Sequence, residues 1–308
     1  MYRSLNNYLK EKFGCKVYKL AISGGMTCPN RDGTLSTDGC IFCSESGSGD
    51  FSEKHCNSVT EQIEKAKLKV AKKTKCDKYI AYFQDFTNTY APIGYLKKIF
   101  TEAISHPDIA ALSIATRPDC LPNEVLDLLN QLQKIKPIWV ELGLQTIHPT
   151  TAKLINRQYD LPIFDRAVNE LKTRGIEVIV HMIVGLPGET EEMIFKTAEY
   201  IGQTDVDGIK IHLLHVLKNT ALAEMYLNGD FSLPTLEEYT QLVIGCIRRL
   251  PPKTVIHRIT GDGAKKDLIA PLWSADKKTV LNYMNSEFKR QNLKQGELCR
   301  FVNDVLQN

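Results

Sequence analysis

The sequence lacks any apolar run near the roughly 18 residues that a membrane-spanning helix requires. Its first 15 residues contain Arg3, Lys10, Glu11 and Lys12 and no apolar block, so they do not resemble a secretory signal. Internal repeats and low-complexity stretches are missing too. These absences argue against an integral membrane protein, and we expect a cytoplasmic protein that has no membrane partner.

The composition is that of a globular protein. Apolar residues make up 43% and charged residues 24% of the 308 residues, which favours a full core over long disorder. The length allows one large domain or two ordinary ones. Nine cysteines at uneven spacing do not form the framework of a disulfide scaffold. In a reducing compartment they indicate buried thiols and favour a metal site.

Positive charge is concentrated near the carboxyl end of the chain. Residues 248–300 contain 12 Lys and Arg against 5 Asp and Glu, although the whole chain carries a net charge of only +3. This basic segment is a candidate surface for a polyanion such as a nucleic acid. The alternative is a solvated helix face, because several of these charges fall in one helical stretch.

Short apolar segments alternate with longer amphipathic ones along most of the chain. The apolar segments are bounded by Gly, Pro or Asp, and they predict six strands: Val17–Ser23, Tyr79–Phe83, Ala110–Thr116, Ile138–Leu144, Glu177–Val184 and Gly208–Leu217. Helical spacing of apolar residues predicts helices between them: Val59–Lys73, Ile93–Ser105, Asn123–Lys134, Ile163–Arg174 and Glu191–Gly202. This repetition predicts an α/β fold with a parallel sheet.

The number of units predicts an incomplete barrel. Six units occupy about 200 residues, short of the roughly 250 of a complete eight-unit barrel. We therefore expect a partial, open (β/α)6 barrel, with an open doubly wound sheet as the alternative. Three regions are expected: an N-terminal helix at 1–16, the barrel at 17–217 and a basic, helix-rich C-terminal extension at 218–308.

The extension is predicted to contain mostly helices. The predicted helices are Ala221–Leu227, Leu236–Leu250 and Asp276–Asn292, and one strand-like segment is predicted at Thr254–Ile259. Ser274 is the expected N-cap of the last helix, because a serine hydroxyl accepts from the free N–H groups of a first turn.

Isolated polar residues interrupt the apolar strands at Glu141, His181, Lys210 and His212. In a closed or partly closed barrel, such positions face the interior. We take Glu141, His181 and Lys210 as candidate catalytic residues, because titratable groups in such places mark functional sites. The alternatives are a hydrogen-bonded core histidine at 181 and a structural ion pair between Glu141 and either Lys210 or Arg117.

The most specific local pattern is a cysteine loop directly after the first strand. Cys28, Cys40 and Cys43 follow the spacing C-x11-C-x2-C, and two Asp-Gly steps predict turns that bring the three thiols together. Three thiolates favour a soft metal centre and leave one metal position open, as in catalytic sites. The alternative is a zinc site that Cys56 or His55 closes as fourth ligand.

These motifs resemble those of the radical S-adenosylmethionine (radical SAM) superfamily. The cysteine loop carries an aromatic, Phe42, just before its last cysteine. Three further motifs follow in chain order: Thr116-Arg117-Pro118-Asp119, Glu141-Leu-Gly-Leu-Gln145-Thr and His181-Met-Ile-Val-Gly185-Leu-Pro-Gly188-Glu189-Thr. Together they cover about residues 17–217. They look like the branch that contains the Elp3-type tRNA enzymes, the methylthiotransferases and the oxygen-independent coproporphyrinogen oxidases.

The resemblance implies a 4Fe-4S cluster bound by Cys28, Cys40 and Cys43. Its open iron would bind the amino and carboxylate groups of S-adenosylmethionine. One electron from the reduced cluster would break the sulfonium bond, and the resulting 5′-deoxyadenosyl radical would abstract a substrate hydrogen. A reducing partner such as flavodoxin or ferredoxin is therefore expected.

The resemblance also implies cofactor contacts. It places Phe42 near the adenine, Gln145 at the ribose and Arg157 near the cofactor carboxylate, with a surface arginine as the alternative at position 157. The full implied set is Phe42, Gln84, Asn88, Arg117, Gln145, Arg157, His181 and Gly185. The chain departs from the family pattern where Gln84–Asn88 replaces a glycine-rich motif and where Ala115 replaces a glutamate.

The ends of the chain narrow the resemblance to a bacterial Elp3-like subgroup that lacks an acetyltransferase domain. The shared features are the opening helix Tyr2–Phe13, the segment Phe83–Pro92 and the tail motifs His257–Gly263 and Ala270–Trp273. The subgroup resembles enzymes that remodel the 5-position side chain of the tRNA wobble uridine. The implied reaction converts a carboxymethylaminomethyl group to an aminomethyl group.

A tRNA anticodon loop is then the expected partner, because it is a polyanion with unstacked bases. The candidate contacts lie in the extension: Arg258, Lys265, Lys266 and Trp273. For Trp273 the alternative is a core anchor. Two other functions stay open, namely a radical SAM enzyme that acts on a small molecule and a non-enzymatic zinc or nucleic-acid-binding module.

Overall fold

The computed structural model of the chain describes residues 1–47, 49–50, 52–53, 55–56, 58–72, 74–261 and 263–299. Three parts of the predictions lie outside the described residues: Lys73 in a predicted helix, Asp262 in a tail motif, and 300–308 in the extension. Within the described residues, no helix combines the length and the apolar character that crossing a membrane requires.

The described part of the chain forms nine strands and ten α-helices. The strands are β1 (Val17–Ile22), β2 (Lys78–Phe83), β3 (Ile109–Thr116), β4 (Ile138–Gln145), β5 (Glu177–Val184), β6 (Gly208–Leu213), β7 (Val216–Leu217), β8 (Val255–Arg258) and β9 (Leu268–Ala270). The helices are α1 (Leu5–Phe13), α2 (Val59–Ala71), α3 (Ile93–Ser105), α4 (Asn123–Gln133), α5 (Pro149–Leu154), α6 (Leu161–Thr173), α7 (Glu191–Gln203), α8 (Ala221–Leu227), α9 (Leu236–Arg249) and α10 (Lys277–Arg290).

Seven parallel strands make one sheet in the order β1-β2-β3-β4-β5-β6-β8. Because the strands of this sheet follow one another in chain order, with β7 left out, the sheet has no switch in strand order, which a doubly wound sheet requires. The sheet is an open half-barrel, which confirms the predicted fold class. The predicted number of six strands is one short, because β8 of the extension pairs with β6.

Amphipathic helices cover the outer face of the sheet. Their apolar stripes are fully buried, as Phe100 of α3 and Phe164 of α6 illustrate. Phe100 packs edge-on against Phe83 of β2, with 5.2 Å between the ring centroids. The main hydrophobic core therefore lies between the helices and the sheet, and the inner face of the barrel is left for other side chains.

The inner face carries side chains in layers, because alternate residues of a strand point the same way. The layer nearest the amino ends of the strands is apolar, and α1 covers it through Leu9; its members are Val17, Ile80, Ala111, Trp139 and Ile179. The next layer, called the polar layer below, consists of Lys19, Tyr82, Ser113, Glu141, His181 and Lys210. A hydrophobic floor thus supports a polar interior.

The end of the barrel and the extension each differ from prediction in one place. The predicted strand Gly208–Leu217 breaks after Leu213, and β7 pairs antiparallel with β9 instead of continuing the sheet. Ser274 is not the N-cap of α10: its hydroxyl donates to the Pro271 carbonyl (2.7 Å), and the Asp276 carboxylate accepts from the amides of Lys278 and Thr279. An aspartate two residues closer to the helix takes the capping role.

Candidate active site

The cysteine loop that follows β1 is folded by its own contacts. Both predicted Asp-Gly turns form, with the left-handed φ of +89° at Gly33 and +75° at Gly39 that glycine tolerates. The Arg31 guanidinium donates to the carbonyls of Cys43 (2.6 Å) and Ser44 (2.8 Å) and packs against Gly39. A side chain at Gly39 would collide with Arg31, so this glycine allows the loop to close.

Two asparagines tie the loop to the barrel. The Asn30 amide donates to the carbonyl of Asn156 (2.6 Å), and the Asn156 amide donates to the carbonyl of Gly39 (2.7 Å). The same Asn30 nitrogen lies 3.6 Å from the Cys40 sulfur, within hydrogen-bond reach of a thiol. Asn30 is fully buried. The loop is therefore held against the segment between α5 and α6 through side chains that lie beside a candidate ligand.

The three predicted thiols line one cavity of about 350 Å³ at the carboxyl edge of the sheet, whose deep side is formed by Glu141 and Lys210 of the polar layer. Burial raises the pKa of Cys40 to about 12 and also raises the pKa of Cys43. A metal that binds here displaces thiol protons, as metal binding to cysteine generally does.

The three thiols are not as close together as the ligands of one zinc ion. Four sulfur ligands about 2.3 Å from one zinc ion lie about 3.8 Å apart. Among the described residues, one trio of possible ligand atoms lies within 4.8 Å of one another, and these atoms belong to Glu64, His106 and Asp108. The three thiols are not as close together as this. That acidic group is an ion-pair network, because the Lys67 ammonium contacts both Glu64 (2.8 Å) and Asp108 (2.6 Å).

The two fourth ligands suggested for zinc lie elsewhere. The Cys56 thiol donates to the Ser58 carbonyl (3.2 Å), and His55 is exposed and packs against Gly25. Neither is among the described residues that line the cavity with Cys28, Cys40 and Cys43. Neither of the two suggested residues therefore stands beside the three thiols in the described lining of the cavity.

Glu141 is the centre of the polar layer and is fully buried. Its Oε1 accepts from the Lys19 ammonium (2.5 Å) and from the Ser113 hydroxyl (2.6 Å). Its Oε2 accepts from His181 Nε2 (2.7 Å) and from the Lys210 ammonium. The pairing suggested between Glu141 and Lys210 is present, and Lys19 takes the place suggested for Arg117.

Burial and charge set the protonation of this layer. Burial alone would raise the pKa of Glu141, but the Lys19 and Lys210 ammonium groups hold it well below the usual range. Burial lowers the pKa of Lys210 to about 7. Burial, with the Lys210 charge, lowers the pKa of His181 to about 4. At neutral pH, His181 is therefore uncharged, and the carboxylate accepts from its Nε2–H.

An arginine–tyrosine–arginine stack forms another wall of the cavity. The guanidinium of Arg157 lies 4.3 Å and that of Arg117 lies 5.3 Å from the centre of the Tyr159 ring. Arg117 also donates two hydrogen bonds to Asp119, at 2.9 and 2.7 Å. The Thr116–Asp119 motif thus holds its arginine by a bidentate ion pair at the cavity edge.

Arg157 is buried, with 2% of its surface exposed, so the surface alternative is wrong. Its guanidinium donates four hydrogen bonds to the main-chain carbonyls of Leu144, Thr146 and Tyr159, at 2.6 to 3.1 Å. The guanidinium has five N–H donors. One donor therefore remains for a ligand, and Arg157 lines the cavity.

Three other predicted cofactor contacts line the same cavity: Phe42, Gln84 and Gln145. Gln145 has a left-handed φ of +65°. Its amide nitrogen donates to the carbonyls of Gly143 (3.1 Å) and Leu144 (2.9 Å). The amide oxygen is then available as an acceptor for a ligand in the cavity.

Two predicted cofactor contacts are not among the described residues that line this cavity. Asn88 is fully buried, and its amide donates to the carbonyls of Phe83 (3.2 Å), Asp85 (2.8 Å) and Ala115 (3.0 Å), which joins the ends of β2 and β3. Gly185 forms the turn after β5 with a φ of +93° and lines a separate cleft. Each serves the backbone where its strand ends, and the buried Oδ1 of Asn88 has no hydrogen-bond partner among the described residues.

The predicted nucleic-acid contacts are divided between the cavity and its rim. Arg258, at the end of β8, lines the cavity, and Lys265 and Lys266 are exposed on the loop between β8 and β9. Trp273 is half-buried. Its indole N–H donates to the Pro234 carbonyl (3.2 Å) and its ring packs 5.8 Å from that of Tyr239, so it anchors the extension.

Sequence reasoning missed Lys19, Tyr82 and Asn30. Lys19 lies in an apolar strand in the same way as Glu141, and this signal could have identified it. Tyr82 gives no such signal in the sequence, because tyrosine is common in strands. Its hydroxyl nevertheless accepts from the Lys210 ammonium (3.0 Å). Asn30 lies inside a loop, where its contact with Asn156 depends on the tertiary fold.

Comparisons with known proteins agree with this geometry. A model of the Radical SAM superfamily matches residues 27–201, and one of the Radical SAM C-terminal domain matches residues 206–290. The chain is 45% identical to YtqA of Bacillus subtilis, an uncharacterized protein, over 96% of this chain and 92% of that protein. It is 33% identical to a tRNA uridine(34) acetyltransferase of Methanocaldococcus infernus, over 62% of this chain and 35% of that enzyme.

The fold also matches a solved structure. It superimposes on Elp3 of Methanocaldococcus infernus with a TM-score of 0.67 at 20% sequence identity, over 91% of this chain and 64% of the other. At that identity the likeness concerns the fold. The chain therefore spans about two thirds of the solved Elp3 chain and about a third of the archaeal acetyltransferase.

Proposed function

Because the chain belongs to the radical SAM superfamily, we propose that it is an enzyme that holds a 4Fe-4S cluster through Cys28, Cys40 and Cys43. The loop supplies three thiols at one cavity and is held by Asn30. A cluster of this kind with one open iron takes three cysteine ligands, the number that the loop presents at the cavity.

The cavity walls would bind S-adenosylmethionine beside that loop. Phe42 offers an aromatic face to the adenine, Gln145 offers its amide oxygen to a ribose hydroxyl, and Arg157 offers its remaining N–H to the carboxylate. When bound and reduced, the cluster supplies the electron that cleaves the cofactor to a 5′-deoxyadenosyl radical. A reducing partner such as flavodoxin or ferredoxin would deliver this electron.

We propose that the substrate is tRNA, and the position of the basic loop carries this proposal. Gly261 and Gly263 line the cavity, while Lys265 and Lys266 of the same loop are exposed. The pairing of β7 with β9 holds this loop in place. A polyanion that contacts the two lysines would present its unpaired bases to the cavity mouth.

The proposed target is the 5-position side chain of the wobble uridine, with conversion of a carboxymethylaminomethyl group to an aminomethyl group. The carboxymethyl carbons would leave as glyoxylate, with water supplying the aldehyde oxygen, and the two electrons would be taken up by cleavage of S-adenosylmethionine to methionine and 5′-deoxyadenosine. Support comes from the sequence motifs and from the archaeal relative named for its action on uridine 34 of tRNA. The polar layer would receive this side chain, because it forms the deep side of the same cavity. The open barrel leaves the cavity accessible to a macromolecule.

Nucleoside analysis tests this function. The gene would be deleted and complemented with the wild type, with Cys40→Ala, or with Cys15→Ala as an exposed cysteine outside the loop. We expect deletion to raise carboxymethylaminomethyluridine and to lower aminomethyluridine in tRNA, measured by mass spectrometry. Wild type and Cys15→Ala should restore the ratio, and Cys40→Ala should not. An unchanged nucleoside profile would favour a small-molecule substrate.

A further inference from the structure

The polar layer holds two ammonium groups around one carboxylate. Lys19 and Lys210 both contact Glu141, from opposite sides of its carboxyl group. Glu141 and Lys210 are almost fully buried, with 0% and 6% of their side chains exposed, so bulk water screens them little. When both lysines are protonated, one positive charge at the deep side of the cavity is not balanced by this carboxylate.

Two groups of β6 face the cavity with donor capacity left over. The Lys210 ammonium has three N–H bonds and donates to the Tyr82 hydroxyl (3.0 Å) and to Glu141, which leaves the third for a ligand. The Nε2 of His212 is buried and has no hydrogen-bond partner among the described residues. Because Lys210 and His212 are two residues apart on one strand, both line the cavity.

An unpartnered buried polar atom costs free energy, so its presence calls for an explanation. In the tautomer that carries its proton on Nε2, His212 lacks an acceptor. An anionic oxygen between the Lys210 and His212 side chains would accept from both and would balance the second ammonium charge. A planar carboxylate has two oxygens that suit two separate donors.

We propose that Lys210 and His212 bind a carboxylate on the side chain of the target nucleotide. This inference rests on the proposed function and assigns its substrate group to two residues. A backbone phosphate is the other source of an anionic oxygen. It fits less well, because the polar layer lies at the deep side of a cavity of about 350 Å³ that also has to hold the cofactor.

Binding measurements with three RNA probes test the assignment. The probes are anticodon hairpins of one sequence, with carboxymethylaminomethyluridine, aminomethyluridine or uridine at the wobble position. Fluorescence anisotropy on the cluster-loaded protein, without reductant, gives a Kd for each hairpin. The wild type should bind the carboxylate hairpin about tenfold more tightly than the other two, since a charge-assisted hydrogen bond contributes at least that much.

Three variants test which residues cause the tighter binding of the carboxylate hairpin. Lys210→Met and His212→Phe should each reduce it to about twofold or less, and Lys253→Met, at an exposed lysine outside the cavity, should keep it in full. His212→Phe keeps the test valid if Lys210→Met fails to fold. Equal Kd values for the three hairpins in the wild type would overturn this inference and leave the proposed function standing. Failure of every hairpin to bind would overturn both.

A third result would identify the phosphate source instead. If Lys210→Met weakened all three hairpins by the same factor, the group bound there would be common to them, and the carboxylate assignment would be wrong.

Discussion

The carboxylate of Glu141 accepts a hydrogen bond from Nε2 of His181 at 2.7 Å, inside the barrel. The two residues lie on neighbouring strands, β4 and β5, and each interrupts an apolar run. Their contact fixes which nitrogen of the neutral histidine carries the proton. The other ring nitrogen of His181, Nδ1, is then a hydrogen-bond acceptor. The polar layer therefore offers an acceptor in addition to its ammonium donors.

We expect Glu141→Gln to destabilise the fold by about 3 kcal/mol, because removal of one partner of a buried ion pair leaves the other charge uncompensated. Here two charges, Lys19 and Lys210, lose their counter-ion. Urea unfolding of the metal-free protein measures the change. Glu11→Gln is the control, since Glu11 pairs with Arg3 at the surface and its loss should cost less than about 1 kcal/mol. Equal losses for the two variants would contradict the role assigned to Glu141.

The environment of His181 in the polar layer predicts that the protein becomes less stable in acid. His181 has a folded pKa of about 4 and an ordinary value of 6.5, because burial and the Lys210 charge disfavour its protonation. Between these pH values the unfolded chain binds a proton that the folded chain does not, so the free energy of unfolding decreases as pH falls from 6.5 to 4. This histidine contributes up to about 3 kcal/mol to that decrease.

Unfolding curves at several pH values would test this for His181→Asn, whose amide can still donate to Glu141. The acid-dependent loss should shrink by the contribution of His181, while His55→Asn at an exposed position should leave the loss unchanged. A variant that keeps the full pH dependence would show that other groups, such as the buried His212, cause the loss.

The sequence predicted the fold well where local periodicity carries the information. The predicted strand Glu177–Val184 and the predicted helix Ile93–Ser105 have the observed limits. The break after Leu213 was not visible, because the apolar run continues to Leu217 while the partner of β7 changes to a strand about 50 residues later. The choice of partner depends on tertiary contacts that periodicity does not contain.

The candidate site was predictable to the extent that it relies on unusual residues in regular positions. Glu141, His181 and Lys210 were identified as polar residues within apolar strands, and they meet in one layer. Asn88 was assigned from its place in a motif, but its side chain turns to main-chain carbonyls. Trp273 likewise packs inward. A motif gives the order of residues along the chain and does not give the direction of a side chain.

The position of Asn30 predicts that this residue affects the midpoint potential of the proposed cluster. Its amide lies 3.6 Å from the Cys40 sulfur, and hydrogen bonds to ligand sulfurs stabilise the reduced, more negative state of a cluster. We therefore expect Asn30→Ala to lower the midpoint potential, measured by spectroelectrochemical titration of the loaded protein. Asn285→Ala, at an exposed position of α10, should leave it unchanged. A potential that Asn30→Ala does not move would restrict Asn30 to holding the loop through Asn156.

The loop that carries Lys265 and Lys266 allows a prediction of how the proposed tRNA binding responds to salt. Each phosphate contact that a lysine makes contributes about −0.7 to −0.9 to the slope of log K against log salt. The double variant Lys265→Gln/Lys266→Gln should therefore flatten the slope by up to about 1.8 and weaken binding at low salt. Filter binding of tRNA between 50 and 300 mM salt, roughly the range where such slopes are measured, provides the data.

A second double lysine variant distinguishes direct contacts with phosphate from a general effect of net charge. Lys97 and Lys98 are also adjacent and exposed, but they lie on α3, on the outer face of the barrel. Replacing both with Gln removes the same net charge, so a long-range effect of charge would flatten the slope equally in the two double variants. A direct contact at the cavity rim would flatten it only for Lys265 and Lys266, because contributions from counterion release require the lysine to lie at a phosphate.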